Sequence, residues 1–260
     1  VGCVKVMLSQ KANPNMETFT RQTPLYLAMY QARGERAEDH PERKQTVECL
    51  LEHGAKIQPD CALFDSSEFW DTHFLEEPEL EKPREWYVEF ENVRHLLAPL
   101  FARGVHNLLH LGCGSSVLGG QIQRHGWCHN VISIDFSQMA LRCQRRELGE
   151  DFVRCDFRYL PFQDKSFDIV LDKGTLDSLL AACTDAPCNL PEERERVESA
   201  TVAVTNTQRF LAPGGLFVVI TCMHRAVIDL FVSHLWTCIE RHELPGHCQL
   251  LIMQPKEPSS

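Results

Sequence analysis

The sequence contains no apolar run long enough to cross a membrane. A spanning helix needs about 20 apolar residues, whereas an apolar run such as 216–220 has only the length of a strand. An initiating methionine is also absent, because the chain begins at Val1, inside a motif described below. We therefore expect no membrane insertion and a chain that continues upstream. A cytoplasmic location is predicted, and a mitochondrial one stays open because a targeting peptide could precede Val1.

Metal-type cysteine spacing is missing as well. The chain has 12 cysteines, but they are scattered and no C-x-x-C occurs. Zinc sites need closely spaced cysteine or histidine ligands, so no metal site is predicted. Scattered cysteines in a chain of this size favour a reducing, intracellular compartment.

Positive charge is in deficit, with 26 basic against 36 acidic side chains and a net charge of −10. Residues 1–60 carry eight of each sign, so the whole acidic excess lies in residues 61–260. An acidic surface disfavours nucleic acid and favours a basic partner. The alternative is a surface whose charge serves only solubility.

Two segments within residues 1–60 resemble each other. They read VKVMLSQKANPN from Val4 and VECLLEHGAKIQ from Val47, with TPLYLA at 23–28 between them. This pattern resembles the ankyrin repeat, in which T-P-L-H-x-A precedes a helix ending in L-L-x-x-G-A. The repeat spacing is 43 residues against about 33, so we expect an inserted loop at 32–44. The resemblance implies a small all-α ankyrin segment that binds another protein, with a plain spacer as the alternative.

Residues 61–260 alternate between strand-like and helix-like sequence. A parallel, doubly wound, Rossmann-like α/β sheet is the architecture that such alternation predicts. An amphipathic helix starting near Glu85 leads into it. Strands are expected at 105–111, 130–134, 152–155, 167–171, 215–221 and 248–253, with a seventh near 237–241, and helices at 117–125, 137–148, 191–211 and 224–236.

Chemically useful residues stand at successive strand ends, where the ligands of such sheets bind. The first strand ends in a turn containing Gly112 and Gly114, whose missing side chains let a ligand approach the backbone. Asp135 ends the second strand, where a carboxylate can accept from ribose hydroxyls. Asp156 follows the third strand and can accept from an adenine amine, while Phe157 covers the base.

A dinucleotide-binding dehydrogenase is the main alternative function that a glycine turn of this kind suggests. Its fingerprint is G-x-G-x-x-G, but Val117 occupies the third glycine position here. The small Ser115 and Ser116 suit a ligand without a pyrophosphate at the turn.

The motifs LGCGSS, SIDFS, CDF and LAPGG resemble those of seven-stranded S-adenosylmethionine-dependent methyltransferases. Within that superfamily, FWDTHF, EWYVEF and above all DKGTLD resemble a eukaryotic group that methylates protein lysines, including those of elongation factor one-alpha and citrate synthase. The resemblance implies S-adenosyl-L-methionine as cofactor and a lysine-bearing protein as acceptor. The implied cofactor contacts are Trp70, Phe74, Gly112, Gly114, Asp135, Phe136, Asp156, Phe157 and Lys173.

Methyl transfer to an amine requires the acceptor to be neutral and in line with the donor carbon. A strand-end carboxylate can orient the ammonium and help to remove its proton, and Asp172 and Asp177 are the candidates. For Asp177 the alternative is a charge at a helix N-terminus. Acidic stretches at 76–91 and 183–196 are expected to frame a basic protein surface. Two other functions stay open: a non-catalytic scaffold, and a methyltransferase for small molecules.

Overall fold

The computed structural model describes residues 2–9, 11–15, 24, 41–55, 66–76, 85–144, 150–180, 191–223 and 235–256. The described helices are α1 (Gly2–Ser9), α2 (Pro41–Glu52), α3 (Ser67–Glu76), α4 (Phe90–Phe101), α5 (Leu118–Arg124), α6 (Gln138–Cys143), α7 (Thr175–Leu180) and α8 (Pro191–Phe210). The strands are β1 (Asn107–Leu111), β2 (Asn130–Asp135), β3 (Asp151–Arg154), β4 (Phe167–Lys173), β5 (Leu211–Thr221), β6 (Trp236–Glu243) and β7 (Gln249–Pro255).

All seven strands form one sheet in the order β3-β2-β1-β4-β5-β7-β6. The first five run parallel, β7 is antiparallel to β5, and β6 is antiparallel to β7. The order reverses at β1, which pairs with both β2 and β4. The predicted mostly parallel, Rossmann-like sheet is therefore confirmed, and its ligand edge lies beyond the carboxyl ends of β1, β2 and β4.

Both faces of the sheet are covered, as parallel sheets require. Successive residues of a strand point to opposite faces, and both Leu108 and Leu109 of β1 are fully buried. Leu109 belongs to the core formed with α7 and α8, whereas Leu108 belongs to the core formed with α4 and α5. The sheet is thus held between two apolar layers.

Several element boundaries differ from the predicted ones. Helix α4 begins at Phe90 rather than near 85, because Glu89 and Asn92 form a capping box that starts it there. The expected helix at 224–236 lies mostly outside the described residues, and its last residue, Trp236, instead begins β6. A disulfide joins Cys222, after β5, to Cys248, before β7. The reducing compartment stays a prediction.

The N-terminal helices α1 and α2 pack on each other through a small cluster of their own. Val4 and Leu8 contact Leu50 and Ala55 there. Helix α2 begins at Pro41, so the end of the loop expected at 32–44 is helical, since proline suits the first position of a helix. Apart from position 24, the TPLYLA motif lies outside the described residues. Within the described ranges, no helix is long and apolar enough to cross a membrane.

Candidate functional site

A cleft lies at the carboxyl edge of the parallel strands. It holds about 790 Å³ of space not filled by protein atoms, part of it open to solvent. Every residue predicted to contact the cofactor lines it: Trp70, Phe74, Gly112, Gly114, Asp135, Phe136, Asp156, Phe157 and Lys173. These residues come from several separate elements, so the sheet topology brings them together.

The glycine turn after β1 forms the floor of the cleft. Gly112 and Gly114 have φ of 49° and 53°, a region that residues with a Cβ rarely adopt. A Cβ on Gly112 would also lie 2.6 Å from Cγ2 of Thr175. The hydroxyl of Thr175 donates to the backbone carbonyl of Leu111 at 3.1 Å, so the turn and the start of α7 are packed without room for a side chain.

Asp135 is buried at the end of β2 with its carboxylate held by the backbone. It accepts hydrogen bonds from the N–H groups of Gly114 and Ser137, each at 2.8 Å. Burial outweighs these bonds and raises the pKa of Asp135 to about 6. A carboxylate has about four acceptor positions, so capacity remains for ribose hydroxyls. Ser137 caps α6 by accepting from Ala140 N–H at 3.0 Å.

Asp156 is paired within the protein. Its two oxygens accept from the Nε of Arg158 at 3.0 Å each, and Oδ2 also accepts from the Nη2 of Arg158 at 2.6 Å. Arg158 lines the cleft beside Phe157, yet the sequence reasoning did not single it out. The expected contact between Asp156 and an adenine amine remains a prediction, and it requires this carboxylate to be shared.

Three aromatic rings that lie close to one another form one wall of the cleft. Trp70 and Phe74 lie one turn apart on α3 with ring centroids 6.1 Å apart, and Trp86 lies 5.7 Å from Trp70. Trp86 falls within the helix that was expected to start near Glu85, but the helix starts later and the indole lines the cleft. Three aromatic rings in one wall suit a cationic ligand, because ring faces attract cations.

Lys173, at the tip of β4, is bound by a carboxylate of the protein. Its Nζ pairs with Glu85, and it also donates to the backbone carbonyl of Trp86 at 3.2 Å. Glu85 additionally accepts from Ser116 Oγ at 2.8 Å and Val117 N–H at 2.7 Å. Sequence reasoning counted Glu85 within an acidic stretch; the signal that could have singled it out is its place at the head of EWYVEF.

Asp172 and Asp177 do not line the cleft. Asp172 is fully buried behind it, with Oδ1 accepting from Leu176 N–H at 3.4 Å. Asp177 accepts from the N–H of Cys222 at 2.9 Å and so ties α7 to the end of β5. Burial raises the pKa of Asp172 to about 8 and that of Asp177 to about 6. Both carboxyls therefore stand behind the residues that would meet a substrate.

The cleft fits S-adenosyl-L-methionine by the chemistry of its lining. Aromatic rings are present for a sulfonium, and carboxylates for hydroxyl and amine groups. Gly114 faces the ring of Phe74, and a Cβ added to this glycine would lie 3.5 Å from that ring. The absence of a side chain leaves that space open. Among the described residues, no group of three or more His, Cys, Asp or Glu side chains could hold a metal ion.

The central part of the chain is similar to known proteins. Residues 109–219 match the model of the methyltransferase domain. The mouse EEF1A lysine methyltransferase 4 is 32% identical over 158 residues, which cover 59% of this chain and 60% of that relative. The human eEF1A lysine and N-terminal methyltransferase is 27% identical over 176 residues, 66% of this chain and 23% of its own length. The match thus spans 60% of the first relative and 23% of the second, less than two thirds of either.

Solved structures share the fold at low sequence identity. The PH0226 protein of Pyrococcus horikoshii superposes with a TM-score of 0.55 at 16% identity, over 71% of this chain and 99% of that one. The N-methyltransferase NodS of Bradyrhizobium japonicum, in complex with S-adenosyl-L-homocysteine, gives 0.52 at 18% identity, over 76% and 100%. Residues 109–219 of this chain therefore match a methyltransferase domain, and the chain is similar in sequence to relatives named as eEF1A lysine methyltransferases.

Proposed function

We propose that this protein transfers the methyl group of S-adenosyl-L-methionine to a lysine of another protein. The observation that carries the proposal is the convergence of nine motif residues on one cleft at the carboxyl edge of the sheet. Similarity to relatives named as eEF1A lysine methyltransferases supports a lysine as the acceptor. The first substrate to test is eEF1A, because it is the protein in those names.

The bound cofactor supplies an electrophilic methyl carbon on a sulfonium. Trp70, Phe74 and Trp86 would hold that positive charge, because aromatic rings attract cations. Asp135 and Asp156 would bind the nucleoside. Holding donor and acceptor in line contributes about 7–11 kcal/mol of the lowering of the barrier. With the cofactor held by these residues, the neutral lysine nitrogen would form a bond to the methyl carbon as its bond to sulfur breaks, leaving S-adenosyl-L-homocysteine, and the proton lost by the ammonium would pass to solvent.

Asp172 and Asp177 act, in this proposal, through the elements they hold. Asp172 fixes the first turn of α7, which carries the cleft residues Thr175 and Ser178, and Asp177 fixes that helix to β5. Their burial keeps them from the acceptor amine in this arrangement. We therefore assign both carboxylates a positioning role, in which they hold α7 and with it Thr175 and Ser178 of the cleft lining.

The experiment is incubation of the purified protein with methyl-labelled S-adenosyl-L-methionine and either eEF1A or a cell lysate. A labelled protein band whose label maps to lysine by mass spectrometry supports the proposal. Labelled small metabolites instead would identify a small-molecule methyltransferase. No label in either fraction, with cofactor binding intact, would identify a scaffold. A Gly112→Ala protein is the control, because the strained turn should abolish transfer.

We also infer that residues 1–60 form an ankyrin-type segment that binds a protein partner or the substrate itself. The two repeat segments end alike: Lys11 and Gly54 both have positive φ. The alanine after each donates its N–H to the carbonyl five residues earlier, at 3.1 Å for Ala12 and 2.9 Å for Ala55. A change that breaks the cluster between α1 and α2 should raise KM for a protein substrate and leave cofactor affinity unchanged. An unchanged KM would identify a spacer.

A further inference from the structure

The two cationic side chains of the described cleft lining are each paired with a carboxylate. Arg158 lies on Asp156, and Lys173 lies on Glu85. The first pair is partly exposed, with 22% and 25% of the side-chain surfaces accessible. The second is buried, at 2% for Lys173 and 4% for Glu85. Solvent therefore screens the first pair but not the second.

A buried, unpaired ammonium beside the cleft would oppose the cofactor. S-adenosyl-L-methionine carries a positive sulfonium, and charges in a partly dry site interact more strongly than in water. Lys173 lies at the tip of β4, next to Gly174 and Thr175, which also line the cleft. Its charge is therefore placed to act on whatever cation binds there.

We propose that Glu85 is a positioning residue that cancels the charge of Lys173, so that the cleft accepts a sulfonium and an incoming lysine. The same carboxylate accepts from Val117 N–H at the start of α5 and from Ser116 Oγ. It therefore also fixes Trp86, the next residue, against the aromatic wall. This inference rests on the proposed function and adds a residue outside the direct cofactor contacts.

The test compares two ligands that differ at the sulfur. S-adenosyl-L-methionine has a sulfonium, whereas S-adenosyl-L-homocysteine has a neutral thioether. With Glu85→Gln, the Kd of the sulfonium ligand should rise about three- to tenfold more than that of the thioether. Calorimetry on the whole chain measures both values. A purely structural role would weaken the two ligands equally, and that result would overturn the inference.

Lys173→Met gives a second variant with the opposite sign. It leaves the Glu85 carboxylate uncompensated, so the ratio of the two Kd values should shift in favour of the sulfonium ligand, whatever happens to absolute affinity. Combining Glu85→Gln with Lys173→Met should return the ratio to the wild-type value. A ratio unchanged in both single variants contradicts the proposal.

The control is Asp164→Asn, which breaks an exposed pair with Arg209, whose side chains are 58% and 55% accessible. This substitution should leave the ratio unchanged. Failure of the proposed function would look different: the wild-type chain would then bind neither ligand, or would bind both without labelling any protein lysine in the transfer assay.

Discussion

Asp71 on α3 accepts two hydrogen bonds from the N-terminal end of α6. Ser137 Oγ lies at 2.6 Å and the N–H of Met139 at 3.0 Å from the same carboxylate oxygen. Burial alone would raise the pKa of Asp71, but these bonds hold it below the usual value. This carboxylate therefore anchors the helix that carries Trp70 and Phe74 to the part of the sheet that carries Asp135.

Asp71→Ala should weaken cofactor binding without unfolding the sheet. Hydrogen bonds to a charged group contribute about 1.5–3 kcal/mol each, so we expect the Kd of S-adenosyl-L-homocysteine to rise at least about tenfold. Calorimetry measures it, and thermal unfolding reports on the fold. Glu68→Ala on the same helix is the matched control, since Glu68 is exposed and accepts from Ser66. Equal effects of the two substitutions would contradict this role of Asp71.

Gly112→Ala should abolish cofactor binding, because a Cβ there meets Thr175 and the backbone has positive φ. The control is Gly126→Ala, which has a φ of 67° but nothing within 4 Å of a Cβ. That variant should lose only about 1–2 kcal/mol of folding stability and bind normally. Urea unfolding and calorimetry separate the two effects. Similar losses of binding in both would show that strain alone matters.

Asp172→Asn should change how folding stability depends on pH. Burial raises the pKa of Asp172 to about 8 in the folded chain, against an ordinary value of 3.8, so the folded state binds the proton more tightly. The resulting stability is fully present below about pH 4 and is lost as pH rises through 8. The variant lacks this loss, so its stability relative to wild type should increase by about 2–5 kcal/mol between pH 5 and pH 8.5.

Urea unfolding at the two pH values measures that difference. Asp177→Asn is the companion variant, because the pKa of Asp177 is raised only to about 6 and its relative gain should end near that pH. If the free energies of unfolding of wild type and Asp172→Asn changed equally with pH, the raised pKa of the buried Asp172 would be contradicted.

Sequence periodicity predicted most of the sheet. Each of the seven expected strands is present near its predicted position, because buried parallel strands read as short apolar runs between turns. Boundaries were less predictable. Strand β5 was expected to begin at residue 215, but it begins at Leu211, the first residue of the LAPGG motif. It starts earlier because Leu211 pairs with Phe167 of β4, with an irregular register between this pair and the next. Such pairing depends on a distant strand and leaves no local signal.

The residues that line the cofactor cleft could also be predicted from the sequence, since many of them stand at strand ends that the topology brings together. The ion-pair partners of those residues could not be predicted. Glu85 binds Lys173 across 88 positions, and Arg158 binds Asp156 through a turn whose geometry the sequence leaves open. Asp172 was placed at a strand tip, but its side chain points into the packing under α7. Side-chain direction at a strand end depends on the elements packed above it.

The central claim is that the glycine turn and the strand-end acids form one cofactor site. Calorimetric titration of the whole chain with S-adenosyl-L-homocysteine tests it most directly, with an Asp135→Ala/Asp156→Ala double variant alongside. We expect one saturable site per wild-type chain and no measurable binding by the double variant. Absence of binding to the wild-type chain, or normal binding by the double variant, would contradict the claim.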